Sequence, residues 1–409
     1  MLVQGVPATV FENRIYEYNP SMQEMRPWDV GDRACFFDVR YDGSADELEC
    51  FADDEDEARL RFLAARELLN TDPAFALACS GNELARISWF VTYQLNAVSQ
   101  FADRIDKAYP LGQMVDGAID CILASGEAAS GWPTTKYSVE DGKPLSLLVD
   151  DAMILQALLS VARSGLASES QVERITTLAR TVYDRHESDW MEQAGGYRFT
   201  RGISFSWDGV VMPFNQQNVF GLALLDLYDL TGEDRFKDRA LRLAASFRQS
   251  WEITKDSAAL WHYWPADFYK GWTEADGLSV NTPSRKPSKD VLYEDNSHAG
   301  INVDFALTVR DRFDQGPFSS EDINFLRNTL DNFRIDGLYS LYISGDTTYF
   351  RPSTRFIPAF GGWTRLKDTK LKEQISKGLP KPRPYFENSY LHTYLAALDQ
   401  LVRQRNGSS

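Results

Sequence analysis

Eight consecutive residues, Tyr293-Glu294-Asp295-Asn296-Ser297-His298-Ala299-Gly300, set phenol, carboxyl, amide, hydroxyl and imidazole groups just ahead of an apolar helical pattern (Ile301, Val303, Phe305, Ala306, Leu307, Val309). The opening of a helix presents unpaired backbone N–H groups and the positive end of its dipole. A substrate carboxylate or an oxyanion would be stabilised there. The plainer reading of the same residues is a helix cap, Asp295 or Asn296, beside a structural histidine. Three other places in the chain repeat the design, which favours chemistry over capping.

These places are helix starts. Leu148 to Gly165 can be laid over Gln216 to Gly232: each opens on a polar residue (Asp151, Asn218) and stops at a glycine that reads as a C-terminal cap. An amphipathic helix follows each, from 169 and from Asp234. Tyr385-Phe386-Glu387-Asn388-Ser389-Tyr390 opens a further helix in the manner of 293–298. Helical spacing of apolar residues also marks 57–69, 82–105, 112–124, 169–192, 233–250, 320–333 and 387–404. Paired helices of this kind predict an all-α array, an (α/α) toroid of about six hairpins, incomplete or complete, with the more apolar helices inside. Residues 1–56 read as an extension of strands and loops packed on a toroid of residues 57–409. The loops 196–208 and 338–351 read as hairpins over one rim. In such a ring the starts of the inner helices share that rim, so every polar opening faces one cleft.

Composition narrows the function. A net charge of −16 repels nucleic acid and anionic membranes, so neither is expected as a partner, and an acidic polysaccharide would need local cations. No apolar run approaches the roughly 18 residues that span a bilayer. The first residues carry no basic-then-apolar leader, which reads as cytoplasmic, or as periplasmic or secreted if a leader has been removed. Cys35, Cys50, Cys79 and Cys121 are irregularly spaced without a CxxC, which argues against zinc or a disulfide framework and fits reduced, buried thiols. No phosphate loop, nucleophile elbow, HExxH or dinucleotide fingerprint occurs, so no cofactor and no metal are expected. Oligomeric state is left open.

The stretch from Phe214 to Ala240, with its Leu227-Tyr228-Asp229-Leu230-Thr231-Gly232 core, resembles a hairpin of carbohydrate-active (α/α)-toroid enzymes. Asn296-Ser297-His298 is similar to the Asn/His pairs of polysaccharide lyases that act on alginate or glucuronan, although the Asn-Asn-His run of the best-known alginate lyases is missing. The fold resemblance spans roughly 57–405. It implies β-elimination on an acidic polysaccharide or oligosaccharide, leaving an unsaturated uronate end.

Elimination at a uronate removes the C5 proton and expels the oxygen on C4. The charge that develops beside the carboxylate needs hydrogen-bond donors, and the two proton movements need a base and an acid. Asn296 is the expected neutraliser, His298 the base or second neutraliser, and Tyr349 the acid, with Arg351 beside it. Glu294, Gln217, Asn218, Tyr263, His262 and Arg355 are expected to contact substrate, and Tyr263 is the alternative acid. Arg285, Lys286, Lys289 and the lysines of 367–383 supply positive charge. His392 and His186 read as structural. A glycoside hydrolase on the same fold would instead pair carboxylates drawn from Asp150, Asp151, Asp208, Glu294 and Asp295. An epimerase would use similar proton-transfer groups without an unsaturated product, and a glycan-binding toroid would need only aromatic platforms.

Overall fold

The computed structural model describes residues 77–100, 102, 110–289, 291–346, 361–366, 368 and 370–371, together with backbone strands within residues 2–47. The helical stretches 57–69 and 387–404 lie outside the described residues. Near the N-terminus, β1 (Leu2–Val3), β2 (Val6–Phe11), β3 (Arg14–Asn19) and β4 (Glu24–Trp28) form an antiparallel meander in that order, and β5 (Phe37–Val39) pairs with β6 (Ala45–Glu47).

Among the described residues, eight α-helices of nine residues or more follow. The odd-numbered are α1 (Thr92–Gln100), α3 (Leu148–Arg163), α5 (Phe214–Thr231) and α7 (Asn296–Arg312). The even-numbered are α2 (Pro110–Ala129), α4 (Glu169–His186), α6 (Asp234–Gln249) and α8 (Ser320–Asn332). The odd helices pack side by side in chain order, α1 on α3, α3 on α5 and α5 on α7, and each even helix returns the chain along the outside. This is the (α/α) toroid, all-α with small β additions. Burial follows from it. In α3 and α5 apolar side chains are covered nearly all round (Leu148, Ile154, Leu158, Phe220, Leu225), whereas α6 buries one stripe only: Phe236, Ala240, Leu243, Ala244 and Phe247.

Local chemistry sets the boundaries. Ser168 and Ser319 make capping boxes with Gln171 and Asp322, and Asp295 caps α7 by accepting from the N–H groups of Ser297 and His298. The helix ends expected at Gly165 and Gly232 are found there, both glycines at positive φ (78° and 71°). Where α5 and α7 touch, Gly221 lets the Phe305 ring approach, since a β-carbon would sit 2.5 Å from it. The expected helix over 82–105 differs at its start. Ala85 is left-handed, and a π turn, Ile87–Val91, precedes α1. That turn carries Ser88 and Trp89 to the mouth of the ring.

The inner helices run parallel, because contacts join both their starts and their ends. At the ends, Arg163 of α3 and Arg312 of α7 both grip Asp226 of α5, at 2.7 and 2.6 Å, and both reach Asp229. At the starts, Asn218 of α5 donates to Asn302 of α7 at 2.7 Å. The hairpins over the starts are short: β7 (Trp190–Met191) with β8 (Gly196–Tyr197), β9 (Glu252–Ile253) with β10 (Ala259–Leu260), and β11 (Arg334–Ile335) with β12 (Leu338–Tyr339). Among the described residues no helix is long and apolar enough to cross a membrane.

One expectation is overturned. Cys79 and Cys121 are not reduced, buried thiols but a disulfide, with Cα atoms 4.8 Å apart and Cys79 exposed. The single turn Leu77–Ser80 packs on α2, and that long-range contact brings together two cysteines 42 residues apart, which spacing could not show. Closing a loop of that length in the unfolded chain stabilises the fold by about 4 kcal/mol. The Cys79→Ala/Cys121→Ala double variant should unfold at correspondingly lower denaturant. An unchanged midpoint would show that the bridge contributes nothing.

Candidate active site

Among the described residues the starts of α3, α5 and α7 share one rim, where the stretch 293–298 lies, while the start expected at 385–390 lies outside the described residues. Asp295 does two things at once. Its Oδ1 accepts from the backbone of Ser297 and His298 and from the Ser297 hydroxyl, while its Oδ2 takes the His298 Nδ1–H at 2.5 Å. Burial works to raise the Asp295 carboxyl's pKa, but His298 and these N–H and O–H donors outweigh it and hold the group ionised. The imidazole is thus oriented through Nδ1, its side chain is 37% exposed, and the Tyr263 ring packs on it with centroids 5.4 Å apart.

Behind the dyad lies Glu294, fully buried. Its Oε2 accepts from Trp261 Nε1 at 2.5 Å and Asn302 Nδ2 at 2.6 Å, and its Oε1 has no partner among the described residues. Burial first, then the neighbouring Asp295 charge, pushes its pKa well above the ordinary carboxylate range. The same burial, with Glu294 close by and the Gln216 side chain working against it, raises the Tyr263 hydroxyl.

The segment 261–263 alternates like a strand. Trp261 and Tyr263 turn to Glu294 and His298, while His262 turns away to stack on Tyr293 at 4.5 Å and meet Glu252 at 3.2 Å. His262 thus lies off the dyad. Gln217, expected to contact substrate, is occupied at both ends: Oε1 accepts the Tyr197 N–H and Nε2 donates to the Met212 carbonyl, each at 2.7 Å. It fastens the β8 hairpin to α5. Asn218 is buried and donates to Asn302, so it acts through Glu294's partner. Asn296 is also buried, its Nδ2 donating to the Ser340 carbonyl and its own carbonyl accepting from Trp363 Nε1. Tyr349, Arg351, Arg355 and His392 lie outside the described residues.

On the wall formed by α3, Asp150 is buried, taking the Ser88 Oγ–H at 2.5 Å on Oδ1. Burial pushes its pKa up to about 7 against the pull of Ser88. Asp151 points the other way, to the Arg185 guanidinium, His186 Nε2 at 3.1 Å and the Trp132 N–H. His186 is structural, as expected, bridging Asp151 and Asp189. Asp208 is spent on loop geometry: Ser279 Oγ, the N–H groups of Gly202, Val280 and Asn281, and the Asn281 amide all donate to it. Neither Asp151 nor Asp208 is available to a substrate. Arg285 is packed against Trp207, Phe268 and Trp272 and does not serve the rim.

Sequence reasoning passed over Trp261, Asn302, Gln216, Trp89 and Tyr137. A signal existed for Asn302, a polar residue one turn after His298 on the same face of an apolar helix. For Tyr137 and Trp89 there was none, since both come to the rim from loops and turns of other hairpins.

The geometry defines a class, an (α/α) toroid with polar side chains gathered at the starts of its inner helices. No family model and no curated protein matches the chain. Among solved structures it is similar to a crystal structure of D-mannose isomerase, at 14% identity and a TM-score of 0.48, covering 83% of this chain and 98% of that one. A likeness so distant carries no argument about chemistry.

Proposed function

We propose that the rim around Asp295 and His298 is the active site of a lyase that cuts a uronate-containing polysaccharide or oligosaccharide, of alginate or glucuronan type, by β-elimination. The observation that carries this reading is the Asp295–His298 dyad on the first turn of an inner helix. Asp295 fixes the tautomer and orientation of the ring, leaving Nε2 to take the proton from C5. Burial favours the uncharged form of the Glu294 carboxyl, which lessens repulsion of a uronate, and exposed Lys136, beside Asp150 at the same rim, supplies a cation for the carboxylate. The disulfide favours an oxidising compartment, periplasmic or secreted.

One observation favours the hydrolase alternative. Asp150 holds its proton near neutrality, as the acid of a glycosidase must. The decisive assay follows ultraviolet absorbance and reducing ends together, on alginate, glucuronan and neutral glycans, with His298→Ala in parallel. The lyase reading expects absorbance from a conjugated C4=C5 bond on one acidic polymer, lowered about 10²–10⁴-fold in the variant. Reducing ends without absorbance would move the function to hydrolysis. No product from any uronate polymer would remove the lyase reading.

A further inference from the structure

Removing a proton is half of an elimination; the other half is a proton for the departing oxygen. The rim holds a second acid–tyrosine pair that the His298 dyad does not use. Tyr137 lies in the loop before α3, half-buried, with its hydroxyl in electrostatic reach of Asp150 and of Tyr263 and next to Trp89. Lys136 lies over its ring, 5.1 Å from the centroid. Asp150 Oδ2 and Gln216 Oε1 are shielded from solvent and have no hydrogen-bond partner among the described residues, and the Trp89 indole N–H faces both Asp150 and the Tyr137 hydroxyl. Buried polar groups are ordinarily paired. Two unspent acceptors, one on α3 and one on α5, beside the Tyr137 hydroxyl and the Trp89 indole at one rim, make a wall suited to sugar hydroxyls rather than a piece of core.

We propose that Tyr137 is the proton donor to the leaving sugar oxygen, with Asp150 as the positioning residue behind it. The assignment rests on the lyase reading of the dyad. Tyr263 is the poorer donor, because it packs on His298 and so addresses the atom that His298 addresses. The step balances. His298 Nε2 takes the C5 proton, the C–H electron pair becomes the C4=C5 π bond, and the C4–O bond breaks with its pair on oxygen. The Tyr137 hydroxyl proton passes to that oxygen, leaving a tyrosinate, and the proton on His298 returns to it through solvent. Burial, and then the Asp150 charge, push the Tyr137 hydroxyl up to about 12, so the phenol enters the step protonated.

The test separates the two half-reactions in D2O: exchange of the C5 proton reports the base, and unsaturated ends report the whole elimination. Tyr137→Phe should keep exchange while unsaturated ends form about 10²–10³-fold more slowly. His298→Ala should lose both. Elimination within threefold of wild type in Tyr137→Phe, or loss of exchange along with it, would overturn the assignment. Asp150→Asn removes a negative charge from beside the phenol, which Lys136 and Tyr263 also face, so the alkaline limit of activity should move to lower pH. An unmoved limit would overturn Asp150's part. Wild type that forms no unsaturated ends would instead remove the lyase reading, and Tyr137's role with it.

Discussion

Asp295→Asn should leave the fold in place and lower kcat/KM on the elimination substrate by about 10²–10⁴-fold, the range of a lost general base. Asparagine caps a helix about as well as aspartate, so the N–H groups of Ser297 and His298 keep an acceptor. What disappears is the anion at 2.5 Å from His298 Nδ1, which fixes the tautomer and stabilises the imidazolium once the proton has been taken. Asp295→Ala removes the cap as well and should cost about 1 kcal/mol more in stability than the asparagine variant. Thermal midpoints and kcat/KM measured on both variants separate the two roles. An asparagine variant with activity within a few-fold of wild type would reduce Asp295 to a cap.

The largest loss of stability is expected at Asp151→Ala, about 3–5 kcal/mol. Deleting one partner of a buried charge network strands the others, here the Arg185 guanidinium and the His186 ring. The pH dependence follows from both groups. Burial raises the Asp151 carboxyl, but the hydrogen bond from His186 and the charge of Arg185 outweigh it, so its pKa is depressed on folding. That contribution is present above the carboxyl's unfolded value, about 4, and is lost as pH falls through the folded one. Burial lowers His186, yet its bonds to Asp151 and Asp189 win, so its pKa is raised on folding. That contribution is complete below the unfolded value, about 6.5, and fades as pH rises through the folded one. The network therefore contributes most between about pH 4 and 6.5. Chemical denaturation of wild type and Asp151→Ala across pH 3–9 should show the gap widest there. A gap independent of pH would refute the ionic account.

Local signals in the sequence carried far. The cap at Asp295, the glycine stops at 165 and 232 and the 3.6-residue spacing placed α3, α5 and α7 to within a residue or two, because each depends on neighbours along the chain. The shared rim followed from topology alone. What could not be read is which polar side chain at a helix start is already occupied. Gln217 and Asn218 are adjacent in a run of amides, yet one bolts a hairpin and the other feeds Asn302, and only the facing backbone of Tyr197 or the facing helix decides. Likewise Asp150 and Asp151 are neighbours with opposite fates, one held half-protonated against the Ser88 hydroxyl, the other ionised against Arg185. The bridge between Cys79 and Cys121 failed for the same reason.

The belt of Arg163, Asp226, Asp229 and Arg312 lies at the ends of α3, α5 and α7 opposite those that carry His298 and Asp150. The fastening of the helices and the candidate site are thereby assigned to different ends of the barrel. Loops over the rim that carries His298 and Asp150 can be lengthened, exchanged or grafted without untying the helices at their other ends.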